Sequence, residues 1–392
     1  MRPTSVLVTV TGRDRPGVTA SFFAVLAAHD VDVRDVEQVV IRDRLILTVL
    51  VELRGDTASL RNSVTRAAGA LGMDCELAVA DDVARPAGSG VRIHVTILGH
   101  PLRAGAVGHV AQQIADAGGN IEAVTQLSTD PVTALELVVR TADPSAVQAG
   151  LVQAAEDTGV DIAVEPAGLR RKAKRLVVLD VDSTLIRGEA IDVLAERAGV
   201  AEEVRAITAA AMAGELDFAD SLRERVALLA GLPASVLAEV RTALELTPGA
   251  ATFVRTLRRL GYHVGVVSGG FTAVISRFVD ELDLDFAAAN ELEIVDGVLT
   301  GRVSGPIVDA AGKAEALMRF AEKFDVPLSQ TVAVGDGAND VAMLERAGLG
   351  IAFNAKAALR AAADAVVNVP YLDSVLFLLG VTRDEIAEAA SP

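Results

Sequence analysis

The chain has 392 residues, of which 51% are hydrophobic, and its formal net charge is −17 at neutral pH. This length exceeds what one ordinary core supports and predicts two or three domains, while so acidic a balance argues against non-specific binding to nucleic acid or to anionic membranes. The single cysteine, Cys75, excludes an internal disulfide framework and a multi-cysteine zinc site.

The N-terminal stretch "MRPTSVLVTVTGRDRPG" reaches charged residues too early for a signal peptide. No apolar run along the chain approaches the roughly 18 residues that a membrane-spanning helix needs. From the sequence we therefore expect a soluble, cytoplasmic protein.

The N-terminal part of the chain contains two copies of one pattern. Residues 1–83 predict the order strand, helix, strand, strand, helix, strand, and residues 90–166 repeat that order. Gly12 and Gly99 occupy the same place in the two copies, and "ARPAGSG" (84–90) is typical of a linker between them. Self-similarity of this kind indicates a duplicated βαββαβ module with a ferredoxin-like fold.

The segment "GLRRKAKR" (168–175) separates these modules from the rest, and we predict that it is a solvated linker and not a nucleic-acid patch. Beyond it, the short apolar runs "RLVVLD", "HVGVVSGG" and "TVAVGDG" alternate with long helical stretches. Strands this apolar are typical of a parallel sheet buried on both faces, so residues 176–392 predict a doubly wound, Rossmann-like α/β domain. The helix-rich segment at about 190–246 is too long for a plain crossover and predicts a helical cap inserted above the sheet.

Unusual polar residues and glycines follow three of these predicted strands. They are Asp180 and Asp182 after the first strand, Ser268 and Gly269 after the second, and Asp336 and Asn339 after the third. Because ligands of open α/β sheets bind at the carboxyl ends of the strands, we expect all three groups to face one crevice.

Several carboxylates in one crevice need a cation. An oxygen-only set without a histidine cluster favours Mg²⁺, which commonly takes one or two carboxylates, several waters and substrate phosphate. Glycine N–H groups, the Ser268 hydroxyl and the Lys313 ammonium are suited to binding phosphate. An aspartate can also be the nucleophile of phosphoryl transfer, so these residue types predict a phosphate site.

The ordered set "DVDST", "VVSGG", Lys313 and "GDGAND" resembles the haloacid dehalogenase-like phosphatases over about residues 176–385. Within that superfamily, Glu189, Met212, Phe218 and Arg225 make the chain similar to the phosphoserine phosphatases. The resemblance therefore implies a phosphomonoester hydrolase.

The two N-terminal modules resemble ACT domains, which often sense small amino acids. The stretch "GRDRPG" in the first copy fits the turn of that family. "GHPLRAG" in the second copy lacks an aspartate at the position of Asp14. The resemblance implies that L-serine binds the pair and lowers activity, and that the chain forms a homodimer because sheet edges in such modules need covering.

The resemblance to the phosphatases implies Mg²⁺-dependent hydrolysis of O-phospho-L-serine, the last step of serine biosynthesis. Mg²⁺ is expected on the side chains of Asp180 and Asp336 and the backbone carbonyl of Asp182. Asp180 is expected to attack phosphorus and form an aspartyl phosphate, with Asp182 as general acid and then general base. The expected substrate-binding residues are Ser268, Gly269 and Lys313 for the phosphoryl oxygens, Glu189 for the ammonium, Arg225 for the carboxylate, and Asn339.

Several alternatives stay open at this point. Asp340 could support the metal shell, support Lys313 or cap a helix. Met212 and Phe218 could surround the substrate or belong to ordinary core packing. The substrate could instead be another small phosphomonoester or a phosphorylated protein, and the chain could be chiefly an amino-acid sensor.

Overall fold

A computed structural model gives the fold of this chain. It describes residues 3–80, 90–168, 171, 173–212 and 215–390. Contacts divide the chain into two compact units, Met1–Gly88 and Ser89–Pro392. No helix within the described ranges has both the length and the hydrophobicity that crossing a membrane requires.

The first unit is a four-stranded antiparallel sheet that buries one face under two helices. Its elements are β1 Thr4–Arg13, α1 Val18–Leu26, β2 Val31–Ile41, β3 Arg44–Leu53, α2 Thr57–Ala70 and β4 Asp74–Ala80, in the sheet order β2-β3-β1-β4. Alternate residues of β1, such as Val6 and Val8, are fully buried and share a core with Phe22 and Leu60 of the helices. This alternation follows from the two-residue period of a strand with one covered face.

The second unit begins with a module of the same design. Its elements are β5 Val91–Gly99, α3 Ala104–Asp116, β6 Asn120–Ser128, β7 Thr133–Thr141, α4 Pro144–Thr158 and β8 Asp161–Pro166. Its strand order, β8-β5-β7-β6, matches β4-β1-β3-β2 in the first unit. The predicted duplication of a βαββαβ module is therefore confirmed.

The rest of the second unit is a doubly wound α/β module. Its elements are β9 Leu176–Leu179, α5 Ala190–Ala198, α6 Ala201–Met212, α7 Phe218–Ala227, α8 Val236–Ala243, α9 Ala250–Arg259, β10 His263–Phe271, α10 Thr272–Glu281, β11 Phe286–Val295, β12 Val298–Ser304, α11 Ala310–Lys323, β13 Thr331–Gly335, α12 Val341–Arg346, β14 Gly350–Phe353, α13 Ala357–Ala362, β15 Ala365–Val367, α14 Val375–Leu378 and α15 Arg383–Ala390. The strands β11-β10-β9-β13-β14-β15 run parallel, and β12 adds an antiparallel edge. All residues of β9, β13 and β14 are buried, as expected for a sheet covered on both faces.

Helices α5 to α8 form an insertion in the chain between β9 and β10. The two ends of this insertion meet, because Ile186 and Leu246 form an antiparallel bridge and the N–H of Arg187 donates to the carbonyl of Glu245 at 2.9 Å. The insertion therefore begins and ends at one narrow neck beside the carboxyl end of β9.

The second βαββαβ module and the α/β module share one continuous sheet. β15 pairs antiparallel with β8 through Ala365 and Ala163, which extends the sheet to eleven strands. Asp161, at the start of β8, accepts hydrogen bonds from the N–H and side-chain amide of Asn368, both at 2.7 Å. Leu98 and Leu127 of the second module lie in the same hydrophobic cluster as the parallel strands. These contacts make the two modules one structural body.

The prediction that residues 168–175 form a solvated linker is wrong for two basic residues of that segment. Arg171 and Lys174 are buried, 8% and 4% exposed. Arg171 donates to Glu165 at 3.0 Å, forms an ion pair with Glu136, and donates to the carbonyl of Leu378 at 3.2 Å. Basic residues in an acidic chain are usually solvated, but here Glu136 of β7 and Glu165 of β8 pair with Arg171, and Lys174 donates to the carbonyl of Ser329 at 3.2 Å.

Candidate active site

Asp180 and Asp182 lie just beyond the carboxyl end of β9, the central strand. β9 is flanked in parallel by β10 and β13, and none of its residues is exposed. The turn Val181–Leu185 follows, with Ser183 in the left-handed region at φ 57°. Both carboxylates line one recess, as expected for residues at the strand ends of an open α/β sheet.

The ammonium of Lys313 joins two carboxylates behind this recess. Its Nζ lies 2.7 Å from Oδ1 of Asp180 and 2.7 Å from Oδ1 of Asp340, and its side chain is 1% exposed. Burial disfavours the charged lysine, but the two aspartates together outweigh that effect and raise its pKa. The three side chains therefore form a fixed, buried ion triad.

Asp340 also holds the loop that follows β13. Its Oδ2 accepts hydrogen bonds from the N–H groups of Asp336 and Gly337, at 3.2 and 3.1 Å. A Cβ atom on Gly335 would approach Cγ of Asp340 to 2.5 Å, so this close contact requires glycine. Of the roles left open for Asp340, the geometry favours support of Lys313 and of the loop that carries Asp336.

Three carboxylates are close enough to share one cation. One oxygen from each of Asp180, Asp336 and Asp340 lies within 4.8 Å of the other two. Oδ1 of Asp180 accepts from Lys313 and from the N–H of Val181, whereas its Oδ2 and the carboxylate of Asp336 have no hydrogen-bond partner among the described residues. Oxygen donors without other partners are what Mg²⁺ prefers, so this donor set fits the predicted metal.

Asp182 connects the strand ends to the insertion. Its Oδ1 accepts from the N–H of Ala190, the first residue of α5, at 2.8 Å. Its Oδ2 accepts from the Ser268 hydroxyl at 3.3 Å, and Ser268 Oγ in turn accepts from the N–H of Gly270 at 2.8 Å. The Asp182 carboxylate is therefore oriented by two different parts of the fold.

A single recess lies in front of these groups. It is lined by Asp180, Asp182, Glu189, Ile191, Phe218, Leu222, Arg225, Gly269, Gly270, Phe271, Asp336, Gly337, Asn339 and Lys356. A Cβ atom on Gly269 would approach Phe218 to 2.8 Å, so the glycine lets α7 close over this end of the sheet.

Glu189 and Arg225 reach the recess from the insertion. Oε1 of Glu189 accepts from Ser183 Oγ at 3.5 Å. Nε of Arg225 donates to the carbonyl of Ser221 at 3.2 Å, while its two terminal nitrogens have no partner among the described residues. A guanidinium with both terminal nitrogens available is suited to bidentate binding of a carboxylate.

Burial and mutual repulsion raise the pKa values of the carboxylates in the recess. Burial and then Asp340 raise the pKa of Asp180 well above its usual value, and burial also raises that of Asp182. Burial, reinforced by neighbouring carboxylates, raises the pKa of Glu189 to about 7 and that of Asp336 to about 6. The recess therefore holds more negative charge than its side chains neutralise, and a divalent cation would lower these pKa values.

Most of the residues singled out from the sequence meet at this recess. Two of them, Ser268 and Lys313, lie behind Asp182 and Asp180 and do not line it. Phe218 lines the recess and also packs on the main core, and the side chain of Met212 lies outside the described residues. Lys356 was missed, although it follows the apolar run "GIAF" as the other groups follow their strands.

Comparison with known proteins shows to which families the parts of this chain are similar. Residues 177–345 match the haloacid dehalogenase-like hydrolase family, and residues 4–78 and 93–165 match ACT domain families. The phosphoserine phosphatase of Streptomyces coelicolor is 55% identical over 98% of this chain and 94% of its own length. Phosphoserine phosphatase SerB2 of Mycobacterium tuberculosis is 56% identical over 98% of this chain and 95% of its own length.

A solved structure of a phosphoserine phosphatase, described as an analogue of the phospho-aspartyl intermediate, is 44% identical. It covers 52% of this chain and 98% of its own length, with a TM-score of 0.50. Because the similarity to the curated relatives extends over nearly the whole chain, this chain belongs to the phosphoserine phosphatase family of haloacid dehalogenase-like hydrolases, with two ACT domains ahead of its catalytic domain.

Proposed function

We propose that this protein hydrolyses O-phospho-L-serine to L-serine and phosphate in a Mg²⁺-dependent reaction, through a phosphoryl group carried on Asp180. The observation that carries the proposal is the single recess in which Asp180, Asp182 and Asp336 face Glu189 and Arg225. The first three residue types suit phosphoryl transfer, and the last two suit the ammonium and carboxylate of an amino acid.

Asp180 and Asp336 would hold Mg²⁺ through their side chains, and Asp182 through its backbone carbonyl. When bound, the metal supplies positive charge that offsets repulsion between the carboxylates and the phosphate dianion. Burial, and then the charge of Asp340, raises the pKa of Asp180 and of Asp336, which supports this assignment because a bound cation would favour their charged forms.

Asp180 would attack phosphorus with a carboxylate oxygen while the bond from phosphorus to the seryl oxygen breaks. Asp182 would give its proton to that oxygen, which releases L-serine. It would then take a proton from the water that attacks phosphorus, so that phosphate leaves and both aspartates are restored. Burial raises the pKa of Asp182, which is the direction that favours a general acid.

Ser268, Gly269, Lys313 and Asn339 are the proposed partners of the phosphoryl oxygens. Gly269 and Asn339 line the recess directly. Ser268 and Lys313 lie behind it, bonded to Asp182 and Asp180 respectively. Their contribution therefore includes holding the two catalytic aspartates in place as charge shifts in the transition state.

Glu189 would bind the substrate ammonium and Arg225 the substrate carboxylate. Oxygen atoms of Glu189 lie in a recess where Asp182 and Asp336 already repel a further negative charge, so a cationic ligand would be favoured there. Both terminal nitrogens of Arg225 are without a partner among the residues that the structure describes, so they can bind a carboxylate. An O-phosphorylated amino acid satisfies both residues, whereas a simple phosphate ester satisfies neither.

Phosphate release from O-phospho-L-serine and from an aryl phosphate tests these roles. Asp180→Asn should abolish release from both esters. Arg225→Met should lower kcat/KM for phosphoserine by roughly 10- to 100-fold, the usual effect of losing a charged hydrogen bond, and leave the aryl phosphate nearly unchanged.

Arg223→Met, on the same helix but exposed and paired with Asp220, is the matched control and should change neither rate. Equal losses for both esters in Arg225→Met would contradict the carboxylate role, and full activity in Asp180→Asn would contradict the nucleophile.

We also propose that L-serine binds the ACT domains and lowers activity. The second ACT domain shares the catalytic sheet and is bonded to it through Asp161 and Arg171, which supports coupling between the two. Inhibition by L-serine should weaken when residues 1–88, a separate compact unit, are removed. Unchanged inhibition would place the effector in the second unit.

A homodimer is proposed as well. β2 lies at the edge of the first sheet with Val33, Val39 and Ile41 exposed, the last at 62%. An uncovered apolar edge strand favours pairing with another chain. Sedimentation should give twice the monomer mass at micromolar concentration, and a monomer under those conditions would contradict the proposal.

A further inference from the structure

Two positively charged side chains line the recess, Arg225 and Lys356, and neither has an ion-pair partner among the described residues. Lys313, by contrast, is already paired with Asp180 and Asp340. Four carboxylates line the same recess, yet none lies within salt-bridge distance of Lys356. Lys356 is exposed, and its charge acts on Glu189 and Asp336 without a direct ion pair, so its ammonium is available to an incoming anion.

The backbone fixes Lys356 at this position. Its own N–H donates to the carbonyl of Asp336 at 3.1 Å, and its carbonyl accepts from the N–H groups of Leu359 and Arg360 at 3.1 and 3.2 Å. The preceding Asn354 lies in the left-handed region at φ 45°, which turns the chain at the end of β14. Because β14 runs parallel to β13 with Ala352 opposite Gly335, this turn brings Lys356 to the strand-end edge that carries Asp336.

The phosphate of the substrate leaves a role for a further protein cation beside Mg²⁺. In the proposed function, Glu189 binds the ammonium and Arg225 binds the carboxylate, so among the protein partners of the phosphoryl oxygens only Lys313 carries a positive charge. That charge is shared with Asp180 and Asp340. Lys356 lies on the loop beside Asp336, whereas Arg225 belongs to α7 of the insertion.

We propose that the Lys356 ammonium binds an anionic oxygen of the substrate's phosphoryl group, and so acts as a substrate-binding residue of this site. The assignment rests on the proposed function. It predicts that Lys356 recognises the phosphate of any ester that enters the recess, independently of the amino-acid part that Arg225 and Glu189 would bind. A flexible ammonium suits this task, since it binds phosphate as a point charge.

The test compares Lys356→Met with Lys356→Arg and Arg360→Met in the full-length protein with Mg²⁺. Arg360 lies one turn further along α13, is exposed and does not line the recess, so it controls for loss of a positive charge. The ligands are O-phospho-L-serine, an aryl phosphate, and inorganic phosphate as a product inhibitor.

Lys356→Met should lower kcat/KM for both esters by roughly 10- to 100-fold and raise the inhibition constant of phosphate by a similar factor. Both constants of Lys356→Arg should stay within a few-fold of those of the wild type, and those of Arg360→Met should equal the wild-type values. Thermal unfolding of each variant checks that Lys356→Met is folded, and Lys356→Arg keeps the comparison informative if it is not.

Three results would overturn the proposal. The first is a loss for phosphoserine with no loss for the aryl phosphate, which would assign Lys356 to the carboxylate. The second is activity fully restored by excess Mg²⁺, which would mean that Lys356 acts only through the metal ligands. The third is Lys356→Met behaving like Arg360→Met. Failure of the proposed function differs from all three, because the wild type would then release no phosphate from phosphoserine.

Discussion

Replacing Lys313 by methionine tests the buried triad that supports the catalytic aspartate. Methionine has a similar length and leaves little cavity, so the change mainly removes one charge. Asp180 and Asp340 would each lose a 2.7 Å contact with Nζ, and both side chains are at most 5% exposed. The substitution therefore leaves two carboxylates buried without their shared cation.

Removing one partner of a buried ion pair typically costs about 3–5 kcal/mol. In this triad the cost is limited by protonation, because a carboxylate without its partner takes up a proton instead of remaining charged. Suppose that the folded variant binds one proton more than the folded wild type. The difference in unfolding free energy between the wild type and the variant, here called the deficit, then grows by about 1.4 kcal/mol for each pH unit over which the extra proton stays bound. The deficit should therefore be larger at pH 8 than at pH 6.

Urea unfolding without metal, at both pH values, measures this deficit. Lys323→Met is the control, because Lys323 lies in the last turn of the same helix and is exposed; it should cost less than about 1 kcal/mol. Adding Asp340→Asn to Lys313→Met should restore part of the loss, since it removes one of the two stranded charges. A deficit no larger than that of Lys323→Met, or one that does not change with pH, would contradict the stabilising role of Lys313 in this triad.

Other predictions concern the same charges. The metal-free protein should lose stability as the pH rises through about 6 and 7, because Asp336 and Glu189 bind their protons more tightly when folded than when unfolded; a stability that rises over this range in thermal scans would contradict the assignment. Mg²⁺ affinity, measured by calorimetry, should weaken as the pH falls below about 6, where protons compete for Asp336; an affinity independent of pH would exclude that ligand. Arg171→Met should lower the unfolding free energy by about 3–5 kcal/mol, because it leaves Glu136 and Glu165 without their cationic partner. Arg54→Met, at an exposed ion pair, should lower it by at most about 1 kcal/mol in the same urea titrations.

The strand ends were predictable because the sequence marks them strongly. Apolar runs such as "LVVL" stop at Asp180, and parallel strands place their carboxyl ends at one edge of the sheet. The duplication of the βαββαβ module was readable for a similar reason, since both copies keep the same order of strand and helix signals. Both features follow from the local pattern of apolar and polar residues, so a single sequence is enough to predict them.

Tertiary partners could not be read in this way. Arg171 lies in a basic run that indicates solvent exposure, and only the fold brings Glu136 of β7 and Glu165 of β8 around it. The sequence equally could not show that Ser268 and Lys313 would lie behind the recess, because each is placed by a side-chain bond to an aspartate of another element. Lys356 was readable in principle, but no carboxylate or glycine beside it drew attention to its strand end.

In the proposed reaction, Asp180 carries the phosphoryl group during turnover. Rapid acid quenching of the enzyme with O-phospho-L-serine and Mg²⁺, followed by peptide mass mapping, measures this directly. One phosphoryl group is expected on the peptide that contains Asp180, and none after Asp180→Asn. Phosphate release by the wild type with no modified peptide at any quench time, or with the group on another residue, would contradict it.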